Sequence, residues 1–444
     1  MADYDVALSR RQLVRAAMAS TIGTTIEWYD TILYGTLVSL YLGRQFFPSR
    51  DPLTSALAGY GSLFVSFLAR PLGGAIFGHF GDRVGRKATL VATLLVAGLC
   101  SAGVGLLPTY DQVGIVAPML LVTLRALLGL SLGGEWGGSV LLTLEWGNRA
   151  RRGFWSSWPQ IGAPAASALS FALFQLAALT FGRTSTWAWR APFLFGLVLV
   201  AVGLYLRLGV LDTPTFTRLL EARRTERRPV LTVLRRSPGP VVLSCLTAMG
   251  QQAPQVVFGT FAVVYATTVL RYPMGTVSLF LLAAGVLGAL VTPCWGLASD
   301  LAGRRRTFVV GLVAMLGYSF VYWWLVDTRV VSLFLVAALL ATVVGAMTSG
   351  PQAAYVAENF TGRLRYSGTS LGVGLGAVVA GGPAAIISTA LLQRFHSSTP
   401  IALYLAGTCL VSLIAAALLR DRSGQDLAVE YDEPSGLPLA EASV

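Results

Sequence analysis

Five ionisable residues lie deep inside apolar stretches of the chain: Glu27, Asp30, Arg70, Arg125 and Glu135. A charge surrounded by hydrocarbon is costly, so each is a candidate functional residue. Carboxylates buried beside guanidiniums are suited to carrying protons. Desolvation raises the carboxyl's affinity for a proton and a nearby Arg lowers it, so a conformational change that alters the balance loads or unloads the group. Glu27 and Asp30 are spaced i,i+3 and share a helix face, which Tyr34 continues. At about 1.5 Å per helical residue, Glu27, Asp30, Arg70 and Glu135 fall roughly 18–22 Å from the flanking loop charges, and Arg125 about 36 Å. Four of them therefore fit one layer, and the long side chain of Arg125 can bend toward Asp30. Asp30 paired with Arg125 is the first choice for proton coupling. Glu27 with Arg70, and Glu135, are alternatives; each also reads as a fixed pair that only holds packing.

Arg70 has a second possible role, because a planar guanidinium grips a carboxylate with two parallel hydrogen bonds. It is the natural anchor for an organic acid. Neutral groups that could orient a small substrate are Tyr29, Tyr34, Trp158, Gln160, Gln251, Gln255, Gln352 and Tyr355. Gln251 and Gln255 share a face at i,i+4. Each of these also reads as an interhelical hydrogen bond or an interface aromatic. The second half has no acid or base deep in an apolar stretch, which assigns proton chemistry to the first half. With two His and four Cys in the chain and no CxxC spacing, neither a metal site nor a disulfide framework is supported. No cofactor is expected; the energy source would be the proton gradient.

The elements that position these residues follow from composition. Of 444 residues, 55% are hydrophobic and only 12% charged. That excludes a cytosolic enzyme, a disordered chain and a secreted disulfide scaffold. Apolar stretches of membrane-crossing length recur twelve times, from 16–42 to 398–419. The expected architecture is an all-α polytopic membrane protein of 12 transmembrane helices in two six-helix bundles. Its parts would be an N-terminus (1–15), a first bundle (16–209), a linker (210–239), a second bundle (240–420) and a disordered tail (421–444). No removable signal peptide is read at the N-terminus. The net charge of +12 reflects topology rather than nucleic-acid binding: 24 of the 33 basic residues fall in the termini and even-numbered loops, against 6 in the odd-numbered loops. That asymmetry predicts both termini in the cytoplasm.

The halves repeat. Gly78-His79-Phe80-Gly81-Asp82-Arg83-Val84-Gly85-Arg86-Lys87 follows the second stretch, and Gly296-Leu297-Ala298-Ser299-Asp300-Leu301-Ala302-Gly303-Arg304-Arg305 follows the eighth. Both read G-x-x-x-D-x-x-G-R-[KR]. The glycines suit positive φ, and the Asp can cap a helix or accept bonds from an Arg. With Glu145 and Glu358 at two helix ends, Gly78, Asp82, Arg83, Gly85, Arg86, Asp300 and Arg304 would form two equivalent cytoplasmic gates.

These repeats resemble the major facilitator superfamily. Gly23-Thr24-Thr25-Ile26-Glu27-Trp28-Tyr29-Asp30 is similar to the G-x-x-x-E-W-Y-D signature of its metabolite:proton symporters, carriers of the α-ketoglutarate, citrate, shikimate and proline–betaine type. Arg70-Pro71-Leu72-Gly73-Gly74, Gly133-Gly134-Glu135-Trp136-Gly137-Gly138, Trp189-Arg190-Ala191-Pro192-Phe193 and Arg365-Tyr366-Ser367-Gly368 match further motifs of that group. Thr31 departs from it, standing where Phe is usual, and so does Thr361, standing where Pro often follows Phe360. The resemblance implies alternating access around a midplane site. It implies a secondary transporter, not an enzyme, that imports a small organic anion (mono- or dicarboxylate) or a zwitterion with protons. An antiporter or exporter is the alternative, and a polytopic membrane enzyme or sensor the remote one. The expected partners are substrate, protons and the lipid bilayer, with no nucleic acid. The expected setting is a monomer in the inner (plasma) membrane.

Overall fold

The computed structural model describes residues 10–50, 52–84, 86–147, 149–182, 185–208, 229–362 and 364–423, and these contain helices and connecting turns but no strand. The first bundle comprises α1 (Arg10–Leu37), α2 (Pro52–Val84), α3 (Arg86–Leu106), α4 (Val116–Glu145), α5 (Arg152–Phe181) and α6 (Trp187–Leu208). The second comprises α7 (Pro238–Val256), α8 (Met274–Ala302), α9 (Arg304–Asp327), α10 (Val331–Ala357), α11 (Arg365–Phe395) and α12 (Thr399–Leu418). Among the described residues, ten helices are long and apolar enough to cross a membrane. The other two, α1 and α7, are more polar: α1 carries Glu27 and Asp30, and α7 carries Gln251, Gln252 and Gln255.

Helix boundaries follow local chemistry. Pro238 opens α7 at a position whose N–H needs no helical partner. Gly303, at φ 98°, breaks α8 from α9 in a backbone region that glycine enters freely, as its motif requires. The second part of the expected linker is itself helical (Pro229–Arg236), with Val233 buried. Residues 209–228 of the linker and the tail from 424 lie outside the described residues.

Small residues let the helices approach closely. A Cβ at Gly129 or Gly133 of α4 would collide with the Ser66 and Arg70 carbonyls of α2, so this stripe sets backbone against backbone. Gly137 instead faces Ser370 of α11, across the bundles. The bundles meet along matched pairs: α8 lays Gly285 and Gly288 against Pro164 of α5, and α11 lays Gly382 against Phe64 and Phe67 of α2. Four π-helical turns are present: Val38–Leu42 follows α1, Val257–Phe261 and Tyr265–Val269 follow α7, and Ala377–Gly381 interrupts α11. Such turns widen a helix and often mark functional segments.

Candidate functional site

A central cavity lies between the bundles. Trp28 and Ile32 of α1, Trp136 of α4 and Gln160 of α5 line one wall; Gln251, Gln252 and Gln255 of α7, Thr292 of α8 and Ser349 and Gln352 of α10 line the other. Its empty space of about 990 Å³ includes the open mouth. No charged side chain is among the described lining residues.

The periodicity of α1 explains the separation. Trp28 and Ile32 are i,i+4 and face the cavity, whereas Glu27, Asp30 and Tyr34 take the adjacent face and turn into the first bundle. There Asp30 meets Arg125, whose Nη1 and Nη2 donate to its two oxygens at 2.5 and 3.1 Å. Ser101 Oγ donates to Asp30 Oδ1 at 2.6 Å, and the guanidinium lies 4.1 Å from the Tyr34 ring centre. One helical turn away, Arg70 pairs with Glu27 at 3.2 Å and donates to Thr31 Oγ1 at 3.3 Å. Its guanidinium also lies 4.5 Å from the Phe67 ring centre, a cation–π contact. Two acid–base pairs thus stand directly behind the cavity wall, on the helix that forms that wall.

Glu135 is held by neither Arg70 nor Arg125. It is salt-bridged to Arg207 at the end of α6, with Thr93 and Ser139 also within hydrogen-bond reach. Arg207 additionally donates to the Leu90 carbonyl at 2.6 Å. Gly23 leaves the room, since a Cβ there would collide with the Arg207 guanidinium and sit 2.6 Å from Glu135 Oε1. The charge count along the chain groups Arg207 with the loop cations. Instead, its long side chain runs back into the bundle and finds an acid.

Several expected substrate groups face elsewhere. Tyr29 donates its hydroxyl to the Pro192 carbonyl at 2.6 Å, and Tyr34 shares a hydrogen bond with Ser62 at 2.5 Å. Tyr355 donates to the Ala416 and Leu419 carbonyls at 2.9 and 3.2 Å, tying α10 to α12. Trp158 stacks on Trp155. Arg70 is held behind Trp28 and is not in the lining. None of these five reaches the cavity, because helical spacing places residues on one face without saying which neighbour that face meets. Gln160, Gln251, Gln255 and Gln352 do line it, together with Gln252 beside Gln251 on α7 and with Trp28 and Trp136, two aromatic residues that sequence reasoning missed.

On the termini side, the cavity floor is an amide bridge between bundles. Trp136 Nε1 donates to Gln160 Oε1 at 3.1 Å, while Gln160 Nε2 donates to the Ser349 carbonyl at 3.1 Å and to Gln352 Oε1 at 3.3 Å. Beyond it, Asp300 accepts from the Gly153 and Phe154 backbone N–H groups, each at 2.8 Å, at the start of α5. Arg304 donates to Asp300 at 2.6 Å and lies 3.5 Å from Glu358. Burial pushes the Glu358 carboxyl above its ordinary value, opposed by Arg304 and then Arg152. Arg365 of α11 reaches Glu145 of α4 at 4.0 Å, and Tyr366 donates to the Gly134 carbonyl. The second copy of the repeated motif thus makes a contact across the bundles. Of the first copy, Gly85 and the side chains at Gly78, Asp82, Arg83 and Arg86 lie outside the described residues. Among the described residues, the second bundle buries charge only at helix ends: Arg304, Glu358 and Arg365.

Residues 20–381 match the family described as Major Facilitator Superfamily. The Shikimate transporter of Escherichia coli (strain K12) is 35% identical over 425 residues, which cover 93% of this chain and 96% of that protein. The Proline/betaine transporter of the same organism is 29% identical over 432 residues, 94% of this chain and 85% of that one. A solved structure of the proton:xylose symporter XylE bound to 6-bromo-6-deoxy-D-glucose shares the fold, with a TM-score of 0.73 at 17% identity, covering 94% of this chain and 98% of that one. With its ten long apolar helices and these relatives, the chain is a multi-pass membrane protein and a transporter. By this match in sequence and fold, it belongs to the Major Facilitator Superfamily.

Proposed function

We propose that the protein is a proton-coupled symporter that imports a small organic anion or zwitterion across the inner membrane by alternating access. In this reading α1 and α7 join the ten apolar helices as spans, both termini are cytoplasmic and the working unit is a monomer. One observation carries the proposal: α1 presents Trp28 and Ile32 to the cavity while its adjacent face holds Glu27 and Asp30 against Arg70 and Arg125. A substrate that moves α1 changes the surroundings of both carboxylates, and their proton affinity responds to desolvation and to the distance of the guanidinium. The amide bridge and the Asp300 contacts close the cytoplasmic side and must part for substrate release. The names of the relatives support an organic acid or a zwitterion as cargo.

The test is uptake into proteoliposomes under an inward proton gradient. The panel holds shikimate, other hydroxylated mono- and dicarboxylates, proline and glycine betaine. At least one compound should accumulate, and an uncoupler should abolish the accumulation. Uptake continuing at full rate with the gradient collapsed would rule out proton symport.

A further inference from the structure

Three glutamines that line the cavity each carry a buried amide atom without a hydrogen-bond partner: Gln251 Oε1, Gln252 Oε1 and Gln352 Nε2. Buried polar groups are normally paired, so three such atoms in one cavity wall point to a ligand that supplies the bonds. An amide offers both a donor and an acceptor, and so does a hydroxyl, whichever way each amide is turned. A carboxylate only accepts, and here it would meet no cation. The guanidinium of Arg70, which lies behind Trp28, is held by other groups. It is held by Glu27 at 3.2 Å, by Thr31 at 3.3 Å and by the face of Phe67, and it lies 5.9 Å from the Trp28 ring centre.

Thr31 matters in this arrangement because its hydroxyl sits one turn beyond Glu27, on the same helix. Thr31 Oγ1 donates back to the Glu27 carbonyl at 3.3 Å, which aims its lone pair at Arg70. The guanidinium is thereby bonded along α1 at two points, and two bonds fix the direction of the fork where one ion pair would let it pivot. We propose that Thr31 is a specificity-determining residue: it keeps Arg70 behind Trp28 and leaves a cavity that recognises its substrate by hydroxyl groups rather than by charge. The substrate class is then a compact polyhydroxylated metabolite whose carboxylate, where it has one, is not gripped by a cation. This inference rests on reading the cavity as the substrate site.

The experiment uses the full-length protein in proteoliposomes and two competitors of one skeleton, a hydroxylated ring carboxylate and the same ring with the carboxylate replaced by hydroxymethyl. Both compete against a labelled substrate from the panel above. Wild type should bind the two within about threefold of each other, the range of a single weak hydrogen bond. Thr31→Val keeps the branched shape and removes the hydroxyl. It should shift the ratio toward the carboxylate by about three- to tenfold, the worth of the hydrogen bond it deletes. Thr31→Ser restores the hydroxyl and should restore the wild-type ratio. A merely structural role would change both competitors alike. An unchanged ratio in Thr31→Val, or a hydroxymethyl compound that fails to compete in wild type, overturns the inference. Gln352→Ala separates the underlying reading. If transport is indifferent to that change, the cavity is not the substrate site; if it weakens both competitors while Thr31→Val leaves their ratio alone, only the role of Thr31 fails.

Discussion

Asp30→Asn is expected to abolish accumulation against a gradient while leaving exchange between equal pools of substrate. Asn keeps the size of the side chain, and its single oxygen can still accept from Ser101 and Arg125 Nη2, which reach Asp30 Oδ1 at 2.6 and 3.1 Å; its amide N–H cannot accept from Arg125 Nη1, so that bond is lost and the guanidinium loses its counter-charge. It cannot take up a proton. A pH difference of one unit stores about 1.4 kcal/mol per proton, enough for about tenfold accumulation of a substrate that travels as a neutral pair with it. Without the proton the ratio falls to about one. Exchange does not require the empty carrier to return, so it should survive. Parallel assays of uptake and exchange on the same vesicles check both halves of this expectation. Should Asp30→Asn still accumulate substrate, the carrier is Glu27, which shares the α1 face and has its own guanidinium, and Glu27→Gln becomes the decisive variant.

The second large effect concerns the Glu135–Arg207 pair. Arg207→Met should leave an uncompensated carboxylate inside the first bundle. Breaking a buried pair by removing one partner costs roughly 3–5 kcal/mol, whereas replacing both partners is often close to neutral. Thermal unfolding in detergent should therefore show a large loss for Arg207→Met and a much smaller one for Arg207→Met with Glu135→Gln. Gly23→Ala should destabilise as well, since its methyl group would occupy the space of the guanidinium. The coupling energy from the double-mutant cycle isolates the pair. A cycle with additive effects would mean that the two side chains act independently.

What the amino-acid sequence discloses divides along a physical line. Helices are local, so the long apolar stretches, the loop glycine at 303 and the shared face of Glu27, Asp30 and Tyr34 can all be read from spacing. Charges in hydrocarbon need partners, so the meeting of Asp30 with Arg125 and of Glu27 with Arg70 also follows from a short list of candidates. Partners supplied from a helix end do not. Arg207 looks like a loop cation until the bend of its side chain toward Glu135 is seen. Which neighbour a helix face meets is equally hidden. Tyr355 shares its face with Gln352, yet its hydroxyl reaches α12 while the amide reaches the cavity. Thr31 shows the same limit. It stands out in sequence as a departure from a signature, but only the position of Arg70 shows what its hydroxyl does.

In the proposed symport, substrate and proton cross together. Its most direct test is to add substrate to weakly buffered proteoliposomes held at one pH on both sides, and to follow the external pH. Substrate entry should make the outside more alkaline, an uncoupler should erase the change, and Asp30→Asn should not produce it. Substrate entry at the wild-type rate with no change in external pH would contradict proton symport.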